Sequence, residues 1–288
     1  MTDADTQPPS LGQPPRERRP LDDARVPGWR IQYLATTGST NAVAAAAVAA
    51  GSEPRLAVVT DHQTAGRGRL DRSWETPAGV ALTFSAVVDP DVPDARWPWL
   101  PLLAGLAVSA AVRRTTGVEA TLKWPNDVLV GDRKLAGILV ERLLRRTGRA
   151  DRPVAVVGIG INVHQSALPL DGATSLALEG SPVDRAHLLE AVLERLTAEL
   201  AGWRSSGGDP EGGPGNLHAS YQQTCATLGR EVTAHLPGNR TVTGLAEEVD
   251  AMGRLVVRSA AGERTAVGAG DVLHVRPSDP PQNRAGLP

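Results

Sequence analysis

Up to about residue 228 the chain alternates two kinds of apolar run, and each predicts its own element. Short runs rich in β-branched residues occur at Ile31–Leu34, Arg55–Thr60, Gly79–Val88, Ala120–Trp124, Asp127–Val130, Leu135–Leu143 and Val154–Val163, and these predict strands. Longer runs carry apolar residues at helical spacing. Ala42–Ala50 predicts a helix capped by Ser39 or Thr40 and stopped by Gly51. Leu100–Arg114 predicts a second, ending at Gly117, and Asp184–Trp203 a third with Asp184 as its cap. Gly131-Asp132 reads as a hairpin turn, and Tyr221–Leu228 closes this first domain.

From Gly229 the pattern shortens. Five β runs, Glu231–His235, Thr241–Asp250, Leu255–Arg258, Thr265–Val267 and Val272–Val275, are separated by turn residues and predict a small β-barrel over residues 229–277. Residues 1–28 and 278–288 are polar and Pro-rich, too poor in apolar side chains to offset ordering, and are predicted to be disordered tails. Gly207–Gly215 reads as a flexible loop.

Composition narrows the function classes. A chain of 288 residues suggests two domains. Its net charge of −2 gives no reason to expect nucleic acid as a partner. Cys225 is the single cysteine, so no internal disulfide can form, which fits a reducing cytoplasm. The first residues lack the pattern of a signal peptide, and no apolar run reaches the roughly 18 residues of a membrane helix. The six histidines are scattered without metal-ligand spacing.

Four constellations carry chemistry. The loop from Asp61 to Trp74 holds Arg67, Arg69 and Arg72, Gly66 and Gly68, with Gln63 before and Trp74 after. Guanidinium forks suit phosphate and carboxylate, the glycines allow close approach, and Trp74 can stack on a base. The loop reads as a flap over an anionic nucleotide, the plain alternatives being a solvated basic loop or an RNA-binding arm. Lys123-Trp124-Pro125-Asn126-Asp127 joins two β runs and gathers a cation for phosphate, an amide, and a carboxylate able to hold Mg²⁺. Lys134 opens the next strand. A charged hairpin is the alternative there. Ser39-Thr40-Asn41 is a helix cap and equally a compact hydrogen-bonding set for a polar ring. Gly158-Ile159-Gly160-Ile161-Asn162 lacks the third glycine of a dinucleotide fingerprint; its glycines read as close backbone packing beside a ligand, with Asn162 a polar contact. Trp97 and Trp99 read as packing at a helix entry, and Cys225 as packing rather than a nucleophile.

Taken together, STN at Ser39–Asn41, GRGRLDRSW at Gly66–Trp74, KWPND at Lys123–Asp127, RKLAGILVE at Arg133–Glu141 and GIGIN at Gly158–Asn162 resemble the biotin protein ligase family in order and spacing. The resemblance implies an α/β (α+β) fold: a catalytic domain like those of class II aminoacyl-tRNA synthetases, with a mixed sheet and flanking helices, followed by an SH3-like barrel. It implies that Ser39, Thr40, Asn41, Gln63, Arg67, Gly68, Arg69, Lys134 and Gly137 bind biotin. It assigns Arg72, Trp74, Lys123, Asn126, Asp127 and Asn162 to ATP, with Asp127 toward Mg²⁺. Lys134, Arg67 and Arg69 are the expected catalytic cations. The implied reaction forms biotinyl-5′-AMP and passes biotin to a lysine of a biotin carboxyl carrier domain, with no nucleic-acid or membrane partner. Some members carry an N-terminal DNA-binding domain; about 28 residues before the first strand are too few for one, so the monofunctional type is expected. A lipoate or octanoate ligase of the same fold is the nearest rival, and a nucleic-acid-binding protein the second.

Overall fold

The computed structural model describes residues 19–69, 72–146, 151–168, 172–236, 240–268 and 271–274. The expected tail over 278–288, and the first eighteen residues of the N-terminal one, lie outside them.

The expected strands assemble into one mixed sheet. They are β1 (Arg30–Thr37), β2 (Leu56–Gln63), β3 (Ala81–Val88), β4 (Thr121–Lys123), β5 (Asp127–Val130), β6 (Arg133–Arg146) and β7 (Asp151–Asn162), in spatial order β1-β2-β3-β7-β6-β5-β4. Helix α1 (Thr40–Ala49) crosses between β1 and β2, which are therefore parallel; the other pairs are antiparallel. Ser39 caps α1, its Oγ accepting from the Ala42 N–H.

Because side chains alternate across a strand, the central strands feed two cores. Leu56 and Val58 of β2 and Val154 and Val156 of β7 pack beneath α1 with Ala44 and Val48. Ala57, Val59, Leu82, Phe84, Val157 and Ile159 face the opposite way, into the larger core with α2 (Leu100–Thr116) and α3 (Arg185–Ser205). Every residue of β3 is buried, as burial on both faces requires. The stretch Asp94–Thr116 is 23 residues long and apolar enough to span a membrane, more than the sequence pattern indicated. It is two-thirds buried and packs on α3, so it serves as a core helix.

The expected N-terminal tail ends earlier than Gly28. Leu21, Ala24 and Val26 are buried, and Arg19 and Arg25 bond Glu190 of α3. Three spaced apolar residues seat this segment, a signal too sparse to read as an element. Gly207–Gly215 folds as a run of turns closed onto α3 by the Trp203 indole, which donates to the Gly208 carbonyl at 2.8 Å.

After α4 (Leu217–Thr224) the second sheet forms from β8 (Glu231–Leu236), β9 (Arg240–Val249), β10 (Leu255–Arg258), β11 (Arg264–Val267) and β12 (Asp271–His274), in order β11-β10-β9-β8-β12, all antiparallel. One of its turns is gripped by residues at the entry to α2 and after β4. The indole N–H groups of Trp99 and Trp124, both buried, donate to the carbonyls of Ala251 and Gly253 at 3.0 Å, and Arg96 adds a bond to Ala251. Trp99 thus does more than pack at a helix entry, and the tryptophan of KWPND ties the two sheets together.

Candidate functional site

A cavity of about 290 Å³ opens on the α1 side of the large sheet, beyond the N-terminus of that helix. The alternation that buries apolar residues under α1 continues past its end, where the same face turns polar or bare. Thr83 of β3, Gly158, Gly160 and Asn162 of β7, and Gly137 and Leu139 of β6 all line the cavity.

One end is buried and neutral. Gln63 Oε1 accepts from the Thr40 backbone N–H at 2.8 Å and lies 3.1 Å from its hydroxyl. The Ser85 hydroxyl lies 2.7 Å from Thr40 Oγ1 and donates to Asn41 Oδ1 at 2.5 Å. Asn41 Nδ2 donates to Glu141 Oε2 at 2.6 Å. Thr40, Asn41, Gln63 and Ser85 are all buried, so these bonds settle how each side chain points. Gly158 is required here, since a Cβ would collide with the Asn41 amide.

The other end is charged and more open. The loop after β2 begins pinned to the loop before α1, by Thr64 N–H to Thr37 O at 2.9 Å and Ala65 N–H to Gly38 O at 2.8 Å. It folds into a small hairpin in which Gly68 N–H meets Arg72 O at 2.6 Å and Trp74 N–H meets Gly66 O at 2.9 Å. Arg67 pairs with Glu141 at 3.1 Å, and Arg69 donates to Asn126 Oδ1 at 3.2 Å. Lys134 Nζ sits 2.7 Å from Asp127 Oδ1. The Lys134 backbone is held by Gly172 and Thr174 on the strap that follows β7. The Trp74 ring occupies the space a Cβ would take at Gly160 and touches that at Gly137, and the two glycines are cross-strand partners, so two bare positions on adjacent strands form its seat. Its indole N–H is buried with no hydrogen-bond partner.

The structure brings fourteen of the fifteen expected site residues to this cavity: Ser39, Thr40, Asn41, Gln63, Arg67, Gly68, Arg69, Arg72, Trp74, Asn126, Asp127, Lys134, Gly137 and Asn162. Lys123 is the exception. It pairs with Asp127 across the sheet, but β4 is the edge strand, so Lys123 stands one strand farther out. The side chain of Asn162 is partly committed, donating to Thr174 O and accepting from Gln165. Ser85 was not singled out in the sequence, and Glu141 stood there only as the end of the RKLAGILVE stretch, with no site role. Neither lines the cavity, but both stand on the same sheet face as residues that do, Ser85 with Thr83 and Glu141 with Gly137, so their strand parity could have found them. Burial raises the pKa of the Cys225 thiol, in keeping with packing rather than nucleophilic attack.

Residues 34–162 match the Biotin/lipoate A/B protein ligase family, and residues 227–275 match the Biotin protein ligase C terminal domain. The chain is 38% identical over 287 residues to the Biotin--[acetyl-CoA-carboxylase] ligase of Mycobacterium tuberculosis, covering 96% of this chain and 100% of that protein. It belongs to the biotin protein ligase family. A ligase of the same name from Paracoccus denitrificans is 31% identical, covering 80% of this chain and 95% of its own. Among solved structures, a biotin protein ligase from Aquifex aeolicus in complex with biotin and ATP superposes with a TM-score of 0.71 at 28% identity, over 85% of this chain and 99% of that one. The fold class expected for this ligase, a mixed α/β catalytic sheet with a small C-terminal SH3-like β unit, is thereby shown.

Proposed function

We propose that this ligase activates biotin with ATP and transfers it to a lysine of a biotin carboxyl carrier domain, in the cytoplasm. The observation that carries the reading is the contrast within one cavity. Its buried end offers hydrogen bonds to a neutral polar ring, and its open end offers cations to a carboxylate and a triphosphate.

Counting donors and acceptors supports biotin over lipoate. Thr40, Ser85, Asn41 and Glu141 largely satisfy one another, whereas among the described residues the Ser39 hydroxyl hydrogen and the Gln63 amide N–H groups meet no acceptor and remain for a ligand carbonyl. A urea carbonyl takes such donors; a dithiolane ring leaves them unpaired in a buried site, which discriminates strongly against it.

Two steps follow. The biotin carboxylate oxygen attacks the α-phosphorus, the bond to the β-phosphate oxygen breaks, and pyrophosphate leaves. The acceptor amine then attacks the carbonyl carbon of the mixed anhydride, loses its proton, and AMP leaves. No protein nucleophile is required, so catalysis rests on alignment and charge neutralisation. Lys134, Arg67 and Arg69 supply the charge. Arg72, Trp74, Asn126 and Asn162 are assigned to the nucleotide, with the unused Trp74 N–H as an available donor; Lys123 is dropped from the direct contacts. Mg²⁺ takes one or two carboxylates together with substrate phosphates, and Asp127 suits that arrangement. Among the described residues there is no cluster of three His, Cys, Asp or Glu that would cage the ion. When bound, Mg²⁺ offsets phosphate charge.

The test is incubation of the full chain with biotin, MgATP and a biotin carboxyl carrier domain, read by acceptor mass. A biotinyl mass gain that excess lipoate does not suppress is expected. Transfer of lipoate in preference to biotin would overturn the reading.

A further inference from the structure

Glu141 is the point where the two ends of the site meet. Its two carboxylate oxygens are divided: Oε2 accepts from Asn41 at 2.6 Å, and Oε1 pairs with the flap's Arg67 at 3.1 Å. Behind Asn41 the bonds run through Ser85 to Thr40 and Gln63. Glu141 is outside the cavity lining, whereas Arg67 is part of it. The pairing uses one terminal nitrogen of the guanidinium, and the fork's other N–H groups stay available to a bound anion.

We propose that Glu141 is a positioning residue: it latches the flap, through Arg67, onto the buried hydrogen-bonded floor of the site. The latch itself rests on geometry alone, and its effect on ligand retention rests on the ligase reading above. The physical reason is the count of acceptors. A carboxylate has an oxygen for each partner, so one group orders the Asn41 amide and holds the flap. With this contact the floor and the flap share a rigid member. Without it the flap keeps its own hairpin bonds, its pinned start and the Arg69–Asn126 bond, but its first arginine is no longer tied to the floor.

Glu141→Gln separates the two duties, because an amide has one oxygen. That oxygen stays with the buried Asn41, and the NH₂ group faces Arg67, donor against donor. Hydrogen exchange on the ligand-free chain then tests the latch without any assumption about substrate. In Glu141→Gln the flap amides are expected to exchange about five- to tenfold faster at low salt, the size of a lost charge-assisted hydrogen bond at a half-exposed site. The difference should shrink at about 0.5 M salt, where the wild-type pair is itself screened. Flap exchange equal to wild type at low salt overturns the proposal.

A second measurement reads the consequence. Release of preformed biotinyl-5′-AMP, followed by tryptophan fluorescence, is expected to quicken about five- to tenfold in Glu141→Gln while the KM for biotin stays within about twofold. Glu141→Ala, which also strands Asn41, is expected to raise that KM as well. If both variants shift biotin KM and adenylate release by the same factor, Glu141 is scaffold and the proposal is overturned. Should wild-type protein form no adenylate, the ligase reading fails, and the exchange result still decides the latch.

Discussion

The two ends of the cavity solve opposite problems with opposite materials. The floor is buried and neutral, and its side chains bond one another. The flap end is charged and half-exposed: Arg67 and Lys134 pair with carboxylates, and Arg69 with the Asn126 amide. A neutral ring is recognised by where unpaired donors point, which demands rigidity. An anionic transition state is recognised by charge, which demands cations that can be re-partnered and a cover that moves. The contrast predicts that damage to the floor appears in biotin affinity, and damage to the flap end appears in chemistry and retention.

The largest expected effect is at the charged end. Lys134→Ala should lower adenylate formation by about 10²–10³-fold, the usual cost of removing one group aimed at developing charge. Pyrophosphate release measures it, and a thermal transition near that of wild type shows the fold intact. Unchanged pyrophosphate release would remove Lys134 from the mechanism.

Ser85→Ala should sharpen the contrast from the other side. It leaves Thr40 and Asn41 without a shared partner in a fully buried position. Biotin KM is expected to rise about tenfold, as for a buried group left unsatisfied, with the KM for ATP little changed. Equal shifts in both would break the two-region division.

Arg69→Gly opens the flap near Asn126 without touching the floor. Adenylate should escape several-fold faster, read as increased labelling of bystander proteins in the presence of biotin and MgATP. No increase would argue against the flap as a cover.

Trp124→Phe is the mildest. It removes the bond to Gly253 and leaves an aromatic ring smaller than the buried indole in its place. An unsatisfied buried carbonyl should lower the melting temperature by a few degrees, given about 2–4 °C per kcal/mol in a chain of this size. Because Asn126 and Asp127 follow Trp124 after only Pro125, any kinetic effect should fall on ATP rather than biotin. An effect on biotin alone would count against that link.

Local and periodic features were legible along the chain. Short β-branched runs located the seven strands of the large sheet and the five of the second, because a strand buried on both faces reads as a continuous apolar run. Helical spacing located α1, α2 and α3, and Ser39 and Asp184 were legible as caps because a cap is a relation among near neighbours. The motifs named most of the cavity residues, because these are polar or glycine positions that interrupt apolar runs, at strand ends, in turns and within β6 and β7.

Tertiary structure decided whatever depends on which strands become neighbours. Placing β7 between β3 and β6 puts Gly160 beside Gly137 as a seat for Trp74. The same sheet face, meeting the start of α1, brings Glu141 to Asn41 across 100 positions of chain. The edge position of β4 keeps Lys123 from the cavity though it stands in the same motif as Asp127. Trp124 reads as one more motif residue until the second sheet supplies the Gly253 carbonyl it bonds. Periodicity states which face a side chain takes, and only the order of strands states what it meets there.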